Sequence, residues 1–213
     1  MKSPLPNRAW LISIVGLLIA GMGFYAGRVD LQSASPTVQI LDCHDRVICE
    51  IRDGGEDAEA GYWKLRVIPP RVAATVISVE DRRFYWHKGV DPIGIIRAIL
   101  QNLQAGRRIS GASTLAMQVA RLQQPKDRTI TNKLREMVDA VLMTTRFGRN
   151  RIVIHYLRIA PYGNGIRGIG YASRAYFDKP VEDLSWAEIA FLCAIPQQPN
   201  RMNPRTAAGR SRT

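Results

Sequence analysis

The chain has 213 residues, 46% hydrophobic, 8% aromatic and 23% charged, a globular composition that excludes disordered, collagen-like and coiled-coil classes. Thirty Lys and Arg against eighteen Asp and Glu leave +12, a balance that points to a polyanionic partner: nucleic acid, an anionic membrane surface or a phosphorylated lipid. Three cysteines are too few for a disulfide scaffold, and the length gives one domain with a sizeable core.

Ala9 to Gly27 carries no charged residue. Nineteen residues rise about 28 Å as a helix, close to the hydrocarbon thickness of a bilayer. The run therefore predicts a transmembrane anchor over 9–27, and Lys2 and Arg8 place residues 1–8 in the cytoplasm. A cleaved signal peptide is the rival reading, but the run is long for one and no clear A-x-A site follows. A buried core helix would need a polar face. Everything after Gly27 then lies outside the cytosol with a net +10, which sets nucleic acid aside and moves the anionic partner to the membrane face.

Residues 28–64 read as a stalk and a small β-containing lead-in. VQILDCHDRVICEIRD predicts two short strands around a His44-Asp45-Arg46 turn, followed by a Gly/Glu/Asp loop at 53–61. Cys43 and Cys49 can close a disulfide across that hairpin in an oxidising compartment, although cross-strand geometry often prevents one. With His44 they offer three ligands at no standard zinc spacing, so no metal site is assigned. Cys193, in FLCAIP, reads as a small buried hydrophobe.

After Pro69-Pro70 the pattern turns helical, and the body over 65–213 reads as mainly α. RVAATVISV has helical apolar spacing. Pro92 opens a helix through IGIIRAILQNLQ that stops at Gly106. Gly111–Leu122 is a third, and Thr129–Phe147, ended by Gly148, has the strongest periodicity. Arg149–Ile159 and Gly168–Phe177 follow. Ser185-Trp186-Ala187-Glu188 is a capping box opening a helix that ends before Pro196. In Thr129–Phe147, Ile130, Leu134, Met137, Val138 and Val141 make one apolar stripe. Lys133 and Glu136 lie about 60° apart on the opposite side with Ala140.

The residues with chemistry gather in three places. ISVEDRRFYWHKGVD sets Glu80 and Asp81 beside Arg82, Arg83, Phe84 and His87, with Asp91 after a glycine, a density that fits a cleft wall. RISGASTLAMQVAR is a Gly/Ser/Thr-rich turn entering a helix, where N–H groups and hydroxyls can hold phosphate oxygens. Lys133 and Glu136 are the third. From Arg97 to Arg151 there are eleven basic and three acidic residues, so most fixed positive charge flanks the turn and Glu136. Two carboxylates far apart in sequence, plus phosphate-holding groups, are the parts of a glycosyl transfer: one must deprotonate a sugar hydroxyl, while cations and hydroxyls stabilise a departing pyrophosphate.

Five ordered motifs carry a resemblance: E-D-x-x-F-x-x-H-x-G-x-D at Glu80–Asp91, S-G-A-S-T-L-x-x-Q at Ser110–Gln118, K-L-R-E at Lys133–Glu136, a later R-x-x-I-x-x-x-Y-L, and L-S-x-A-E-x-A-x-L-x-x-I-P-Q-x-P at Leu184–Pro199. Over about residues 65–205 the chain resembles the peptidoglycan glycosyltransferase domain of class A penicillin-binding proteins and of monofunctional membrane-anchored transglycosylases. The G-A-S-T-L form is most similar to the penicillin-binding protein 1C branch. The resemblance implies a lysozyme-like, mainly α fold with a cleft between a larger lobe and a small membrane-proximal one. It implies lipid II and a growing glycan strand as substrates, joined with inversion and loss of undecaprenyl pyrophosphate, on the outer side of the inner membrane. Cell-wall synthesis proteins are implied as partners.

Carried over by motif, Glu80 is the base on the acceptor hydroxyl and Glu136 assists on the donor side. Asp81, Phe84, Ser113, Thr114, Gln118, Arg121 and Lys133 fall to substrate binding. His87, Gly89 and Asp91 hold the first motif in shape. No cofactor is required, with room for a divalent cation, magnesium or manganese, near the pyrophosphate. Arg121 stands where the family commonly has lysine. Asn132, Ala116, Met117, Ile154 and Arg158 also depart from its pattern, and put efficiency and the donor contacts in question. A lysozyme-like hydrolase would share the two-carboxylate logic, but the basic band is superfluous for cutting finished glycan. A non-catalytic lipid- or peptidoglycan-binding scaffold is the other alternative. Outside the motifs, Tyr156, Tyr171, Tyr176 and Phe177 read as core, Trp186 as packed near a helix start, and Glu188 as a cap.

Overall fold

The computed structural model describes residues 8–32, 37–44, 47–51, 60–61 and 68–197. The chain divides into two compact units, Met1–Leu31 and Gln32–Thr213. In the first, the uncharged run forms a single helix, α1 (Arg8–Arg28). The run expected to be the anchor is thus helical, and among the described residues no helix is long and apolar enough to cross a membrane.

The second unit opens with the expected hairpin. Strand β1 (Val38–Leu41) pairs antiparallel with β2 (Val47–Ile51), Val38 opposite Ile51 and Ile40 opposite Cys49, with an irregularity after Ile40. Cys43 and Cys49 are exposed free thiols, so the hairpin stands without a disulfide. A parallel pairing that the sequence did not announce follows: β3 (Ala60–Gly61) lies beside β4 (Ile166–Arg167). A Cβ on Gly61 would come within 2.7 Å of the Arg167 Cβ, so only glycine lets the two backbones approach this closely. Most of the loop expected at 53–61, and Gln198 and Pro199 of the fifth motif, lie outside the described residues.

The body is helical: α2 (Pro70–Glu80), α3 (Pro92–Ala105), α4 (Leu115–Gln123), α5 (Ile130–Phe147), α6 (Arg149–Ile159), α7 (Ile169–Phe177) and α8 (Trp186–Ala194), with single 3-10 turns at Val181–Asp183 and Ile195–Gln197. Local chemistry sets most boundaries. Asp91, Thr114, Thr129 and Ser185 each accept an N–H of the first turn of α3, α4, α5 and α8. Gly106 closes α3 in the left-handed conformation. The helix expected from Gly111 begins only at Leu115, because Thr114, in an extended conformation, is its cap.

Helix α4 is the centre, packed on α5 and α6, while α2 packs on α8. Leu115, Ala116, Met117, Val119 and Ala120 are all buried, and burying a Leu or Val side chain stabilises by about 1.5–3 kcal/mol. Tyr156 and Tyr171 are core as expected. Trp186 is 65% exposed and does not pack as expected, since Ser185 turns it out at the first helical position.

Helix α5 leaves most of its apolar stripe exposed. Ile130, Leu134, Val138 and Val141 are exposed by 83%, 57%, 41% and 39%. The opposite face, with Ala140, Met143 and Thr144 buried and Lys133 and Glu136 half-buried, is the one that meets the body. Helix α3 behaves likewise: its buried residues are Gly94 and Ala98, and Ile93, Ile96, Ile99, Leu100 and Leu103 are exposed. On α3 the packed face is marked by small residues, and on α5 Ala140 is one of its buried residues.

Candidate active site

Glu80 is the last residue of α2, and the chain leaves the helix there because Asp81 turns away to a different set of partners. Asp81 is 6% exposed. Its Oδ1 meets His87 Nε2 at 2.9 Å and its Oδ2 accepts the Leu115 N–H at 3.0 Å. The Gly89 N–H donates to His87 Nδ1, which makes Nδ1 an acceptor and assigns the ring proton to Nε2, facing Asp81. One buried carboxylate thus joins the 81–91 loop to the N-terminus of α4, where a negative charge is also favoured by the helix dipole.

Thr114 and Gly89 complete that junction. Thr114 Oγ1 accepts the Met117 N–H and donates to the Gly89 carbonyl at 2.5 Å. Gly89 has φ +99°, and a Cβ there would sit 2.3 Å from the Ala140 carbonyl oxygen. Only glycine allows the loop to lie against α5. Asp91 caps α3 through Gly94 and takes two hydrogen bonds from Arg83, at 2.9 and 2.7 Å. Burial opposes its charge, but the Arg83 and Gly94 bonds and the Arg83 charge outweigh it and hold the carboxyl below its ordinary range.

These supports frame a cleft of about 440 Å³ lined by Glu80, Arg82, Arg83 and Arg97, by Gln101, and by the non-helical residues Ser110–Thr114. Gln118 donates from Nε2 to Glu80 Oε2 at 2.9 Å, fixing the carboxylate from α4. Glu80 Oε1 is buried and accepts no hydrogen bond from the described residues. Behind it lie Tyr156, Tyr162 and Cys193. Burial first, and the Glu80 charge second, push the Cys193 thiol up to about 12. Burial likewise raises the Tyr156 hydroxyl, with Glu80 adding to the shift and Arg121 opposing it. The three groups therefore stay neutral, and they back Glu80 with a neutral wall.

Across the loop, Lys133 Nζ donates to Ser113 Oγ at 2.9 Å and to Glu136 Oε2 at 2.7 Å. Glu136 does not line the cleft itself; it is tied to the cleft through Lys133 and Ser113. Of the residues expected to act, Glu80, Ser113, Thr114, Gln118, Lys133 and Glu136 are thus brought into one connected set. Arg121, in the last turn of α4, is half-buried and acts on the Tyr156 hydroxyl. Phe84, 2% exposed with its ring edge-on to Tyr85 and His87, is buried in the loop and off the cleft. Asp81 lines the cleft with both oxygens already held, by His87 and the Leu115 N–H, whereas Phe84 does not line it.

Asn132 has found a local use, donating from Nδ2 to the Asp127 carbonyl ahead of α5. Arg97 and Gln101 were missed as cleft residues. Their i, i+4 spacing, which puts both on one face of α3, is the signal that could have found them. Among the described residues no group of three or more His, Cys, Asp or Glu is placed to hold a metal ion. Near the cleft, Asp81 is paired with His87, Asp91 with Arg83 and Glu136 with Lys133, which leaves the Glu80 carboxylate, held at one oxygen by Gln118, without a second carboxylate free to share an ion. The set does not fit a protein-built cation site.

The sequence has known relatives. The Transglycosylase family model matches residues 45–213. Over 148 residues the chain is 41% identical to penicillin-binding protein 1C of Escherichia coli (strain K12), covering 68% of this chain and 19% of that protein. It is 36% identical over 144 residues to penicillin-binding protein 1A of Aquifex aeolicus (strain VF5), covering 67% of this chain and 20% of that protein. It is 32% identical over 206 residues to penicillin-binding protein 1A of Haemophilus influenzae (strain ATCC 51907 / DSM 11121 / KW20 / Rd), covering 96% and 23%. The chain spans about a fifth of the length of these relatives. It belongs to the transglycosylase family.

Proposed function

We propose that this domain is a peptidoglycan glycosyltransferase that polymerises lipid II into glycan strands. The observation that carries the reading is the connected set itself: Glu80 opens on a cleft whose far side is a hydroxyl-bearing loop held by Lys133, which also pairs with Glu136. Glu80 takes the proton from the 4-hydroxyl of the acceptor sugar as that oxygen forms its bond to the anomeric carbon of the donor. The donor's bond from that carbon to the phosphate oxygen breaks, and the electron pair leaves with undecaprenyl pyrophosphate, with inversion. Charge accumulating on the diphosphate is met by Lys133, Arg121 and the Ser113 hydroxyl, with Glu136 holding Lys133 in place. No step passes through a divalent cation.

The two-lobed, lysozyme-like arrangement belongs to this proposal, supported by a cleft with α2 and α3 on one side and the 110–114 loop on the other. So does a location at the outer face of the inner membrane. The uncharged run Ala9–Gly27 preceded by Lys2 and Arg8 supports it. So do the apolar side chains of α3, exposed by 52–73%, which suit a lipid-tailed substrate taken at a bilayer surface. Incubation of the protein with labelled lipid II tests the reading. Long glycan is the expected product; shortening of preformed glycan would point to a hydrolase, and binding without turnover to a scaffold.

A further inference from the structure

Outside the motifs, one side chain organises the cleft wall. Asn102 sits half-buried in the last turn of α3, four residues before the left-handed Gly106 ends that helix. Its Oδ1 accepts two consecutive backbone N–H groups, Ile109 at 2.8 Å and Ser110 at 2.9 Å. Its Nδ2 donates to the Ser110 carbonyl at 3.0 Å. These partners fix the amide orientation, since two donors meet the oxygen and an acceptor meets the nitrogen. Among the described residues, no backbone–backbone bond outside the helices involves residues 107–113. The side chain of Asn102 thus supplies the pairing that a neighbouring strand would otherwise give.

The clasp has a counterpart at the other end of the loop. Thr114 is pinned by Gly89 and Met117, and Leu115 by Asp81. Ser110-Gly111-Ala112-Ser113 is strung between two anchors, and all four residues line the cleft. Gly111 has open space around it, so nothing in its own packing holds the stretch in place. Cut loose at Ile109–Ser110, the segment from Gly106 to Ser113 would have to be ordered by the ligand at the expense of affinity. Held at both ends, it offers its hydroxyls already in position.

We propose that Asn102 is a positioning residue: it holds residues 109–110 so that Ser110–Ser113 stands preformed as a cradle for the diphosphate of the donor. The assignment rests on the glycosyltransferase reading for its substrate, and on geometry alone for the clasp. Asn102→Leu removes all three bonds at similar volume, whereas Asn102→Asp keeps the acceptor for the two N–H groups. Arg107 and Arg108 are exposed beside the clasp, so trypsin reports directly on it.

The test uses the full chain at a low trypsin dose, with the cut bond identified by mass. Cleavage after Arg107 and Arg108 is expected to be about tenfold faster in Asn102→Leu and close to wild type in Asn102→Asp. Inorganic pyrophosphate is expected to protect the wild type and to lose that effect in Asn102→Leu. With lipid II as substrate, Asn102→Leu raises KM about tenfold with a smaller change in kcat and an unchanged melting temperature, a split that a general loss of fold would not produce. Unchanged cleavage in Asn102→Leu overturns the clasp, and faster cleavage with an unchanged KM overturns its positioning role. Should the wild type make no glycan, the glycosyltransferase reading fails by itself, while cleavage and pyrophosphate protection still decide for or against the clasp.

Discussion

Lys133 reaches Ser113 with a 2.9 Å hydrogen bond, and this bond couples the Glu136 face of α5 to the loop that lines the cleft. Neither residue is remarkable alone: a Lys and a Glu three apart are most often a solvated pair worth a few tenths of a kcal/mol. Here the pair is half-buried and turned toward the body, so the ammonium is held against the loop where the proposed function puts the diphosphate.

Removing that ammonium tests the coupling. Lys133→Ala is expected to lower the polymerisation rate by about 10²–10³-fold. It should weaken diphosphate binding more at low salt than at high salt, because screening already reduces a charge contact at high salt. Pyrophosphate binding measured at two ionic strengths checks this, and equal losses at both would argue against a phosphate contact.

Gly89→Ala probes the close approach of the 81–91 loop to α5. The added Cβ would meet the Ala140 carbonyl oxygen at 2.3 Å from a backbone at φ +99°. A loss of about 2–4 kcal/mol is expected, read as a lower urea midpoint at unchanged slope. A midpoint within error of wild type would mean that the loop does not lie against α5.

Glu188 supplies a pH dependence whose sign is fixed. Its hydrogen bond from Lys179, then those with Ser185, lower its carboxyl from 4.5 to about 2. A depressed carboxyl contributes stability above its unfolded value that is lost as pH falls through the folded one, here between about 4.5 and 2. Glu188→Gln should flatten the melting temperature against pH over that window relative to wild type. An unchanged slope would remove Glu188 from the effect.

Much of the fold could be read from the chain, because caps and glycines act locally. Ser185–Glu188, Thr129, Pro92, Gly106 and Gly148 place helix ends within about a residue of where they fall. The side of a helix that packs was harder. The period of α5 revealed an apolar stripe but not its direction, because Ala140, which admits Gly89, makes the tighter contact. The α3 face repeats the lesson with Gly94 and Ala98 inside and its isoleucines outside. A large apolar residue reports only that it avoids water, and an interface or a membrane can satisfy that as well as a core. Of the site, Glu80, Gln118, Lys133 and Glu136 were legible by motif. Asn102 was not, since its use depends on where the chain returns after Gly106.

Polymerisation of labelled lipid II by the wild type beside Glu80→Gln tests the central claim most directly. The Gln keeps an oxygen for Gln118, so melting temperature and lipid II retention should match wild type while glycan formation falls by about 10³-fold or more. Glycan made by Glu80→Gln at the wild-type rate would contradict the account.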